Sequence, residues 1–452
     1  MRKLGVQIIL VFALVCAMGF LFVAEAAIYY VPDNYPTIQS AIDGSVSGDS
    51  IVVRPGIYNE NINFYGKGII LKSLDGPDVT TIDAQGSGTV VTMISREPDG
   101  TTIEGFTITG AGNSGILVRD RSAGTIVNCR ITGNSGGSGG GISVMYNSRL
   151  NVYDSVIEKN TAGSGGGAYV LYLSNISFYN SVIRNNSAGS GGGIAAVVMG
   201  FYNIHNTEIT HNSASYYGGG AYIYWWSGVK AYGLMIADNT AGIVGGGFYG
   251  YRTYFNEVYS SIIARNTAGS VGGGFYMDSS FDRLYFFSNT VTSNTAPSAG
   301  GLYIGSDLQR GRMLGNNIIY GNSSLPVIQP NASPWAYVNY SDIEGGYPGQ
   351  GNIDADPLFV DSAADNYRLG AGSPCVDTGY FPFWYYSDAR IDFEGKDRPI
   401  GAGYDMGAIE RSLCSESPTV IFDSVSPAVI WPPNGKAVDL VINGHIVQPE
   451  GC

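Results

Sequence analysis

An asparagine recurs along the middle of the chain at an almost constant interval of 26 to 28 residues. An Ile or Val stands three residues before each asparagine, and three consecutive glycines follow each of the first six. The row consists of Asn134, Asn160, Asn186, Asn212, Asn239, Asn266, Asn294 and Asn322. A repeat of this regularity predicts a solenoid, in which each unit packs on its neighbours along one axis.

The contents of the repeat favour strands. Each unit holds short β-branched or aromatic runs broken by Gly, Asn and Ser, without helical periodicity. The Leu-x-x-Leu-x-Leu pattern of leucine-rich repeats and the calcium-binding nonapeptide are both missing. About 27 residues accommodate three short strands and three turns, and coils stacked about 4.8 Å apart form a parallel β-helix.

The recurring residue types fit such a coil. A row of apolar positions just after the glycines predicts an inward-facing ladder: Ile142, Ala168, Ile194, Ala221, Phe248, Phe275 and Leu302. The asparagines are expected to bond turn backbone and the asparagine one coil away. The glycines permit a turn with positive φ and close approach of adjacent coils. Cys129 takes a position otherwise held by Ser or Thr, which predicts a small packed thiol.

Composition agrees with one long solenoid domain. The chain of 452 residues has 65 Gly and only 13% charged residues, against a norm of about 25%. Length alone would suggest about three domains, but the repeat replaces that expectation. The net charge of −13 without a basic stripe disfavours nucleic acid as a partner.

The N-terminus is typical of an exported protein. Arg2 and Lys3 precede an apolar stretch over residues 4–23, and Ala24-Glu25-Ala26 fits a small-x-small cleavage site. Residues 1–26 are therefore predicted to be a signal peptide, with a single membrane anchor as the alternative. No second apolar stretch is long enough to span a membrane, which predicts a secreted or outer-surface protein.

The repeats resemble those of the right-handed parallel β-helix in the pectate-lyase-like superfold and in polymorphic outer-membrane-protein-like bacterial surface proteins. Residues 31–42 and 49–58 resemble that family's first coil, where a short helix covers the open end. Residues 352–359 and 405–410 resemble its closing segment. The resemblance implies the right-handed sense, and it is specific for fold and weak for activity.

These features predict a β-helix domain over residues 27–411. Residues 27–60 form the N-terminal cap and first coil, 100–340 the regular repeats and 341–411 the closing segment. Residues 412–452 are an extension that resembles the start of an immunoglobulin-like module, although about 38 residues cannot form such a sandwich. The extension is predicted either to stop inside a module or to form a strand pair docked on the solenoid.

Aromatic rows at coil spacing provide the main functional clue. Strand alternation points one row outward, and its residues are predicted to bind glycan: Tyr222, Tyr224, Tyr249, Tyr251 and Tyr276. Tyr169 and Tyr303 extend the same row. A second row consists of Tyr153, Tyr179, His205, Tyr232, Tyr259 and Phe287. The alternative is that the rings stack to stiffen the solenoid, or are covered by a loop or another subunit.

Signals for catalysis are sparse. The best local cluster of charged residues is Asp278, Asp282, Arg283 and Asp307, where a carboxylate pair could bind calcium or perform acid–base work. The alternative is a set of solvated turn charges. The closing segment is acidic, so calcium also fits Asp354-Ala-Asp356, with turn-forming carboxylates as the alternative. No other cofactor is indicated.

Three functions remain open. The leading hypothesis is a non-enzymatic exported protein that binds glycan, or acts as an adhesin, through its aromatic flank. The second is a polysaccharide lyase or glycoside hydrolase that acts on an acidic polymer at the charged cluster. The third is a structural stalk whose tyrosines are covered by a partner protein.

Overall fold

The computed structural model describes residues 26–282, 284–306, 311–329, 337–380 and 390–411, and two later strands. The predicted signal peptide lies outside these residues except for Ala26. Within them, neighbouring coils pair in parallel and in register, as in Ile157 with Ile183 and Ile183 with Ile209. The predicted all-β parallel solenoid is confirmed.

Four stacked sheets, numbered here in the order in which a coil passes through them, make up the described solenoid. Sheet 1 consists of Ile62–Asn63, Val91–Met93, Ile116–Val118, Ile142–Met145, Ala168–Leu171, Ile194–Val197, Ala221–Tyr224, Phe248–Thr253, Phe275–Ser280, Leu302–Ile304 and Val327–Ile328. Sheet 2 consists of Ile28–Val31, Ser50–Val53, Ile70–Ser73, Thr102–Glu104, Ala123–Val127, Arg149–Tyr153, Asn175–Tyr179, Phe201–His205, Gly228–Tyr232, Asn256–Tyr259, Leu284–Phe287, Arg312–Gly315 and Tyr337–Asn339.

Sheets 3 and 4 complete the coil. Sheet 3 consists of Gly56–Tyr58, Thr80–Asp83, Thr107–Thr109, Arg130–Thr132, Val156–Glu158, Val182–Arg184, Glu208–Thr210, Met235–Ala237, Ile262–Ala264, Thr290–Thr292, Ile318–Tyr320 and Asp342–Ile343. Sheet 4 consists of Ser135–Ser138, Thr161–Ser164, Ser187–Ser190, Ser213–Tyr217, Thr240–Ala241 and Thr267–Ala268. The expectation of three strands per coil is therefore corrected to four in these coils, because the small residues before the glycines extend and pair.

The core is a stack of inward aliphatic and aromatic side chains. The predicted inward row is buried throughout, from Ile142 at 0% exposure to Leu302 at 0%. Cys129 is buried as predicted, and burial raises the pKa of its thiol to about 11.

The glycine triplets turn the chain from sheet 4 into sheet 1. The first glycine of each of the six triplets has a φ between +63° and +70°. The second lies against the next coil, since a Cβ on Gly192 would be 2.5 Å from the carbonyl oxygen of Gly219. Both predicted uses of glycine, positive φ and close coil approach, are confirmed.

Helix α1 (Ile38–Gly44) lies at the N-terminal end of the solenoid. Thr37 caps it through a capping box with Ser40, and Ile38, Ala41 and Ile42 are buried in the common core. In the part of the chain that the structure describes, no helix has the length and hydropathy needed to cross a bilayer.

The closing segment packs on the outer face of sheet 3. Its Tyr367, Ala408 and Ile409 form a buried cluster with Ile262 and Ala264 of that sheet. The segment contains one antiparallel strand pair, Phe359–Asp361 with Asn366–Leu369, joined by the 3₁₀ turn Ser362–Ala364. A further antiparallel pair, Thr419–Ser426 with Val441–Val447, forms in the C-terminal extension.

Candidate functional site

The corner between sheets 1 and 2 has an unusual backbone. Two consecutive residues in each of five coils adopt positive φ: Asp120 and Arg121, Tyr146 and Asn147, Tyr172 and Leu173, Val198 and Met199, and Trp225 and Trp226. Such a conformation costs roughly 1–3 kcal/mol for each bulky residue. Coil-to-coil hydrogen bonds offset this cost, for example from the Trp226 N–H to the Arg252 carbonyl at 2.7 Å.

Large apolar side chains project from this corner into solvent. We define the corner ridge as Tyr146, Tyr172, Leu173, Met199, Trp225, Trp226 and Tyr254, which are 37% to 62% exposed. An exposed, contiguous row of this kind is uncommon on soluble proteins and marks an interaction surface.

The ring of Trp225 is oriented differently from the tyrosines beside it. Tyr224 and Tyr251 stack along the solenoid axis, with centroids 6.1 Å apart and planes 14° apart. Trp225 meets Tyr224 edge-on at 85°, and it is 46% exposed. Its indole plane therefore lies along the solenoid axis, and among the described residues no aromatic ring stacks on it.

A groove of about 700 Å³ opens at the N-terminal end of the ridge. Tyr146 and Tyr172 stack along it at 5.6 Å, and Arg96 and Arg121 stand beside them. Its one carboxylate, Asp120, pairs with Arg119 at 3.2 Å. Within the described residues neither Arg96 nor Arg121 forms an ion pair, so both guanidinium groups can donate hydrogen bonds to a ligand.

The five tyrosines predicted to bind glycan lie on sheet 1 beside the ridge. They are half-buried instead of openly exposed, because successive rings cover one another. Tyr222, Tyr249 and Tyr276 stack at 5.4 Å and 5.2 Å. The Tyr276 hydroxyl forms a hydrogen bond with the Asp278 side chain. Burial raises the pKa of each of these three hydroxyls, so they stay protonated donors well above neutral pH.

The second aromatic row ends the strands of sheet 2. Its rings stack at 4.7 Å between Tyr153 and Tyr179 and at 5.1 Å between Tyr232 and Tyr259. Tyr232, Tyr259 and Phe287 are buried together with Met313. These three rings therefore follow the alternative of stacked and covered aromatic rows, because neighbouring rings and Tyr285 and Tyr337 pack around them.

The predicted catalytic cluster is only partly described. Asp278 pairs with Tyr251 of the preceding coil on sheet 1. Asp282 lies in the turn that follows the strand Phe275–Ser280. Burial first, and then the charge of Asp278, raises the pKa of Tyr276. Arg283 and Asp307 lie outside the described residues, so catalysis by this cluster stays a prediction.

Calcium in the closing segment also stays a prediction. Asp356 accepts a hydrogen bond from the N–H of Leu358 at 2.9 Å, and Asp354 accepts one from Gly345 at 3.2 Å. These carboxylates act as turn-forming groups. Over the ranges that the structure describes, no three His, Cys, Asp or Glu side chains come close enough to hold a metal ion.

Sequence reasoning missed the corner ridge. Its signal was available, since four of the five positive-φ pairs stand five and six residues after a glycine triplet. Tyr146, Tyr172 and Trp225 recur at the first of these positions. Turn positions are usually polar, and the pattern of the strands alone does not indicate which turn residues stay exposed.

Comparisons with known proteins agree with the architecture. The family model of the right handed beta helix region matches residues 67–233. Together with the stacked parallel sheets, this match confirms the prediction of a right-handed parallel β-helix. No curated protein has a sequence that matches the chain.

Two solved structures are similar to the chain at low identity. Pectate lyase Pel9A aligns with a TM-score of 0.46 and 15% identity, over 86% of this chain and 97% of that one. A pectin methylesterase from Aspergillus niger aligns with a TM-score of 0.27 and 15% identity, over 61% of this chain and 86% of that one. At these values the likeness carries no argument about reaction or substrate.

Proposed function

We propose that this right-handed parallel β-helix protein is exported and binds a polysaccharide chain along its corner ridge. The observation that carries the proposal is the orientation of the Trp225 indole, which is 46% exposed and lies edge-on to Tyr224, with its plane along the solenoid axis. A sugar chain that runs along the axis can lay the apolar face of one ring on this indole, as flat aromatic rings favour.

The residues around Trp225 extend the contact along several coils. Tyr146 and Tyr172 stand on the N-terminal side, and Trp226 stacks on Phe281 at 4.4 Å, which holds its indole in place. The repeat spaces these side chains at coil intervals. A repeating polymer therefore matches the ridge better than a single small ligand does.

Hydrogen-bonding groups lie beside the aromatic surface. Arg96 and Arg121 line the groove next to Tyr146, and the tyrosine row of sheet 1, with Tyr222, Tyr249 and Tyr276, keeps its hydroxyls protonated. Sugar hydroxyls need such partners when they leave water. The net charge of −13 opposes a strongly anionic polymer at long range. Neutral polysaccharides are therefore the first class to test.

Export forms part of the same proposal. The charged n-region, the apolar stretch over residues 4–23 and the Ala24-Glu25-Ala26 site support it. Polysaccharides are abundant outside the cell, and an exported protein with an exposed aromatic ridge would meet them there.

The experiment is a binding assay with wild type and single variants. Co-sedimentation with insoluble polysaccharides, and affinity electrophoresis in soluble ones, identify a polymer that the protein retains. Trp225→Ala is expected to weaken that binding by about thirtyfold, because aromatic anchors at the centre of an interface contribute about 2 kcal/mol.

Tyr216→Ala is the matched control. Tyr216 is 55% exposed but lies on sheet 4, away from the ridge, so its loss is expected to leave binding unchanged. Equal binding by Trp225→Ala and wild type would refute the ridge as the site. Failure of every polymer in a broad panel to bind would refute the function.

A further inference from the structure

The aromatic row on sheet 2 is interrupted after Phe287. Each earlier rung stacks on the next, with centroid distances of 4.7 to 5.3 Å from Tyr153 to Tyr259. In the next coil the position paired with Phe287 is Gly315, and in the coil after that it is Asn339. The ladder of rings therefore ends at Phe287. We call the two following positions without a ring, Gly315 and Asn339, the gap.

The ring of Phe287 lies over Gly315, on the side of the gap. Its centroid is 6.2 Å from that of Tyr259, a longer step than the earlier ones. A Cβ on Gly315 would lie 2.8 Å from Cε1 of Phe287, so the ring covers the glycine closely. The ring of Phe287 thus occupies the space that a side chain at position 315 would need.

A cleft of about 290 Å³ lies at this gap. Among the described residues, four aromatic ones line it, namely Phe287, Tyr337, Tyr340 and Tyr380, together with Asn339 and Gln350. No charged residue stands in this described part of the lining. The volume is at the lower end of the range for ligand pockets, which suits one or two small rings.

Tyr380, which comes from the closing segment and forms one wall of the cleft, is held in position by Asn316 and Tyr340. The Asn316 side chain donates from Nδ2 to the Tyr380 carbonyl at 2.8 Å and accepts from the Tyr380 N–H at 2.8 Å. Tyr340 stacks on Tyr380 at 4.9 Å, with planes 18° apart. Both bonds go to the backbone of Tyr380, so its exposed ring is anchored without using its hydroxyl.

The two amide groups retain hydrogen-bonding capacity. Asn339 accepts from the Gln350 N–H at 2.9 Å through Oδ1, which orients its Nδ2 donors. Within the described residues neither Asn339 Nδ2 nor the Gln350 side chain has a hydrogen-bond partner. A hydroxylated ligand would satisfy them.

We propose that this cleft binds one neutral sugar ring. The apolar face of a pyranose would stack on the aromatic wall, and its hydroxyls would accept from Asn339 and exchange hydrogen bonds with Gln350. The described lining offers no charged partner, which favours a neutral ring over a uronate or phosphate, since a buried charge needs a partner. The cleft lies at the opposite end of the sheet 2 strands from the corner ridge and is independent of the proposed function.

The test is calorimetric titration and saturation-transfer NMR of the full chain with glucose, galactose, mannose, xylose, rhamnose, N-acetylglucosamine and glucuronate. At least one neutral sugar is expected to bind with millimolar affinity. Gln350→Ala and Tyr380→Ala are each expected to weaken it about tenfold or more. Both side chains are exposed, so folding is expected to survive.

Trp225→Ala distinguishes this site from the ridge, because it should leave monosaccharide binding intact while polymer binding falls. Three results would overturn the proposal: no sugar of the panel binds, glucuronate alone binds, or binding survives both cleft substitutions. None of these results depends on whether a polymer binds the ridge.

Discussion

The side chain of Asn186 donates from Nδ2 to Oδ1 of Asn212, one coil further along, at 3.0 Å. The same oxygen also accepts from the backbone N–H of Asn186 at 2.9 Å. Both asparagines are buried, and the arrangement repeats along the row. Each asparagine thus satisfies two donors of the preceding coil, which confirms the predicted ladder.

Asn212→Ala should destabilise the solenoid by about 2–4 kcal/mol. The substitution leaves the backbone N–H and the Nδ2 of Asn186 without their buried acceptor, and the cost of such groups is about 1–3 kcal/mol each. Thermal and chemical unfolding measure the effect. Asn113→Ala, at an exposed asparagine, should change stability by less than about 0.5 kcal/mol. Equal effects of the two changes would contradict the ladder's role.

Gly192→Ala should lower the unfolding midpoint far more than Gly137→Ala. A Cβ at Gly192 would lie 2.4 Å from the Ser213 carbonyl oxygen, so coils must separate, and overpacking of this kind costs about 1–3 kcal/mol. At Gly137 a Cβ would meet no atom within 4 Å. Neither position has positive φ, so a difference between the two variants reports on the close approach of adjacent coils and not on backbone strain. A similar loss at both sites would argue against close approach as the reason for the triplets.

Asp342→Asn should stabilise the protein at neutral pH. Burial raises the pKa of Asp342 from an ordinary 3.8 to about 6. Between these values the folded state binds more protons than the unfolded state, so this residue's contribution to stability falls as pH rises from about 4 to 6. The variant keeps an Oδ1 acceptor for the Ala355 N–H and should gain up to about 3 kcal/mol at pH 7.

The difference in the free energy of unfolding between Asp342→Asn and wild type, measured across pH, reports on Asp342 alone. Burial also raises the pKa of Asp405 and Glu410, so the wild-type profile includes their contributions. The stability difference between variant and wild type should be small near pH 4 and reach its full size above pH 6. A difference that does not change with pH would contradict a raised pKa of the buried Asp342 carboxyl group.

Replacing Tyr222, Tyr249 and Tyr276 together by Phe should weaken polysaccharide binding severalfold without lowering the unfolding midpoint. The substitutions retain the stacked rings and remove only the hydroxyls. The corresponding triple Ala variant should lose stability as well, because the stack itself is broken. If the triple Phe variant binds the polymer as well as wild type does, the three hydroxyls take no part in binding.

The repeat itself was sufficient to predict the fold. A row such as Asn134 to Asn322 constrains the coil length, and Gly192 and its counterparts specify where the chain turns, because few other residues tolerate those positions. Strand alternation also identified the inward row. These properties follow from local spacing, which a sequence displays directly.

The exposure of the outward residues depended on the tertiary structure. Tyr249 and Trp225 both point away from the core, yet Tyr249 is covered by the rings of adjacent coils while Trp225 is 46% exposed and stands edge-on to its neighbour Tyr224. The cleft beyond Phe287 likewise needs the alignment of Gly315 and Asn339 from coils of unequal length and the return of Tyr380 from the closing segment. Surface shape arises from contacts between distant parts of the chain, and a local pattern does not contain them.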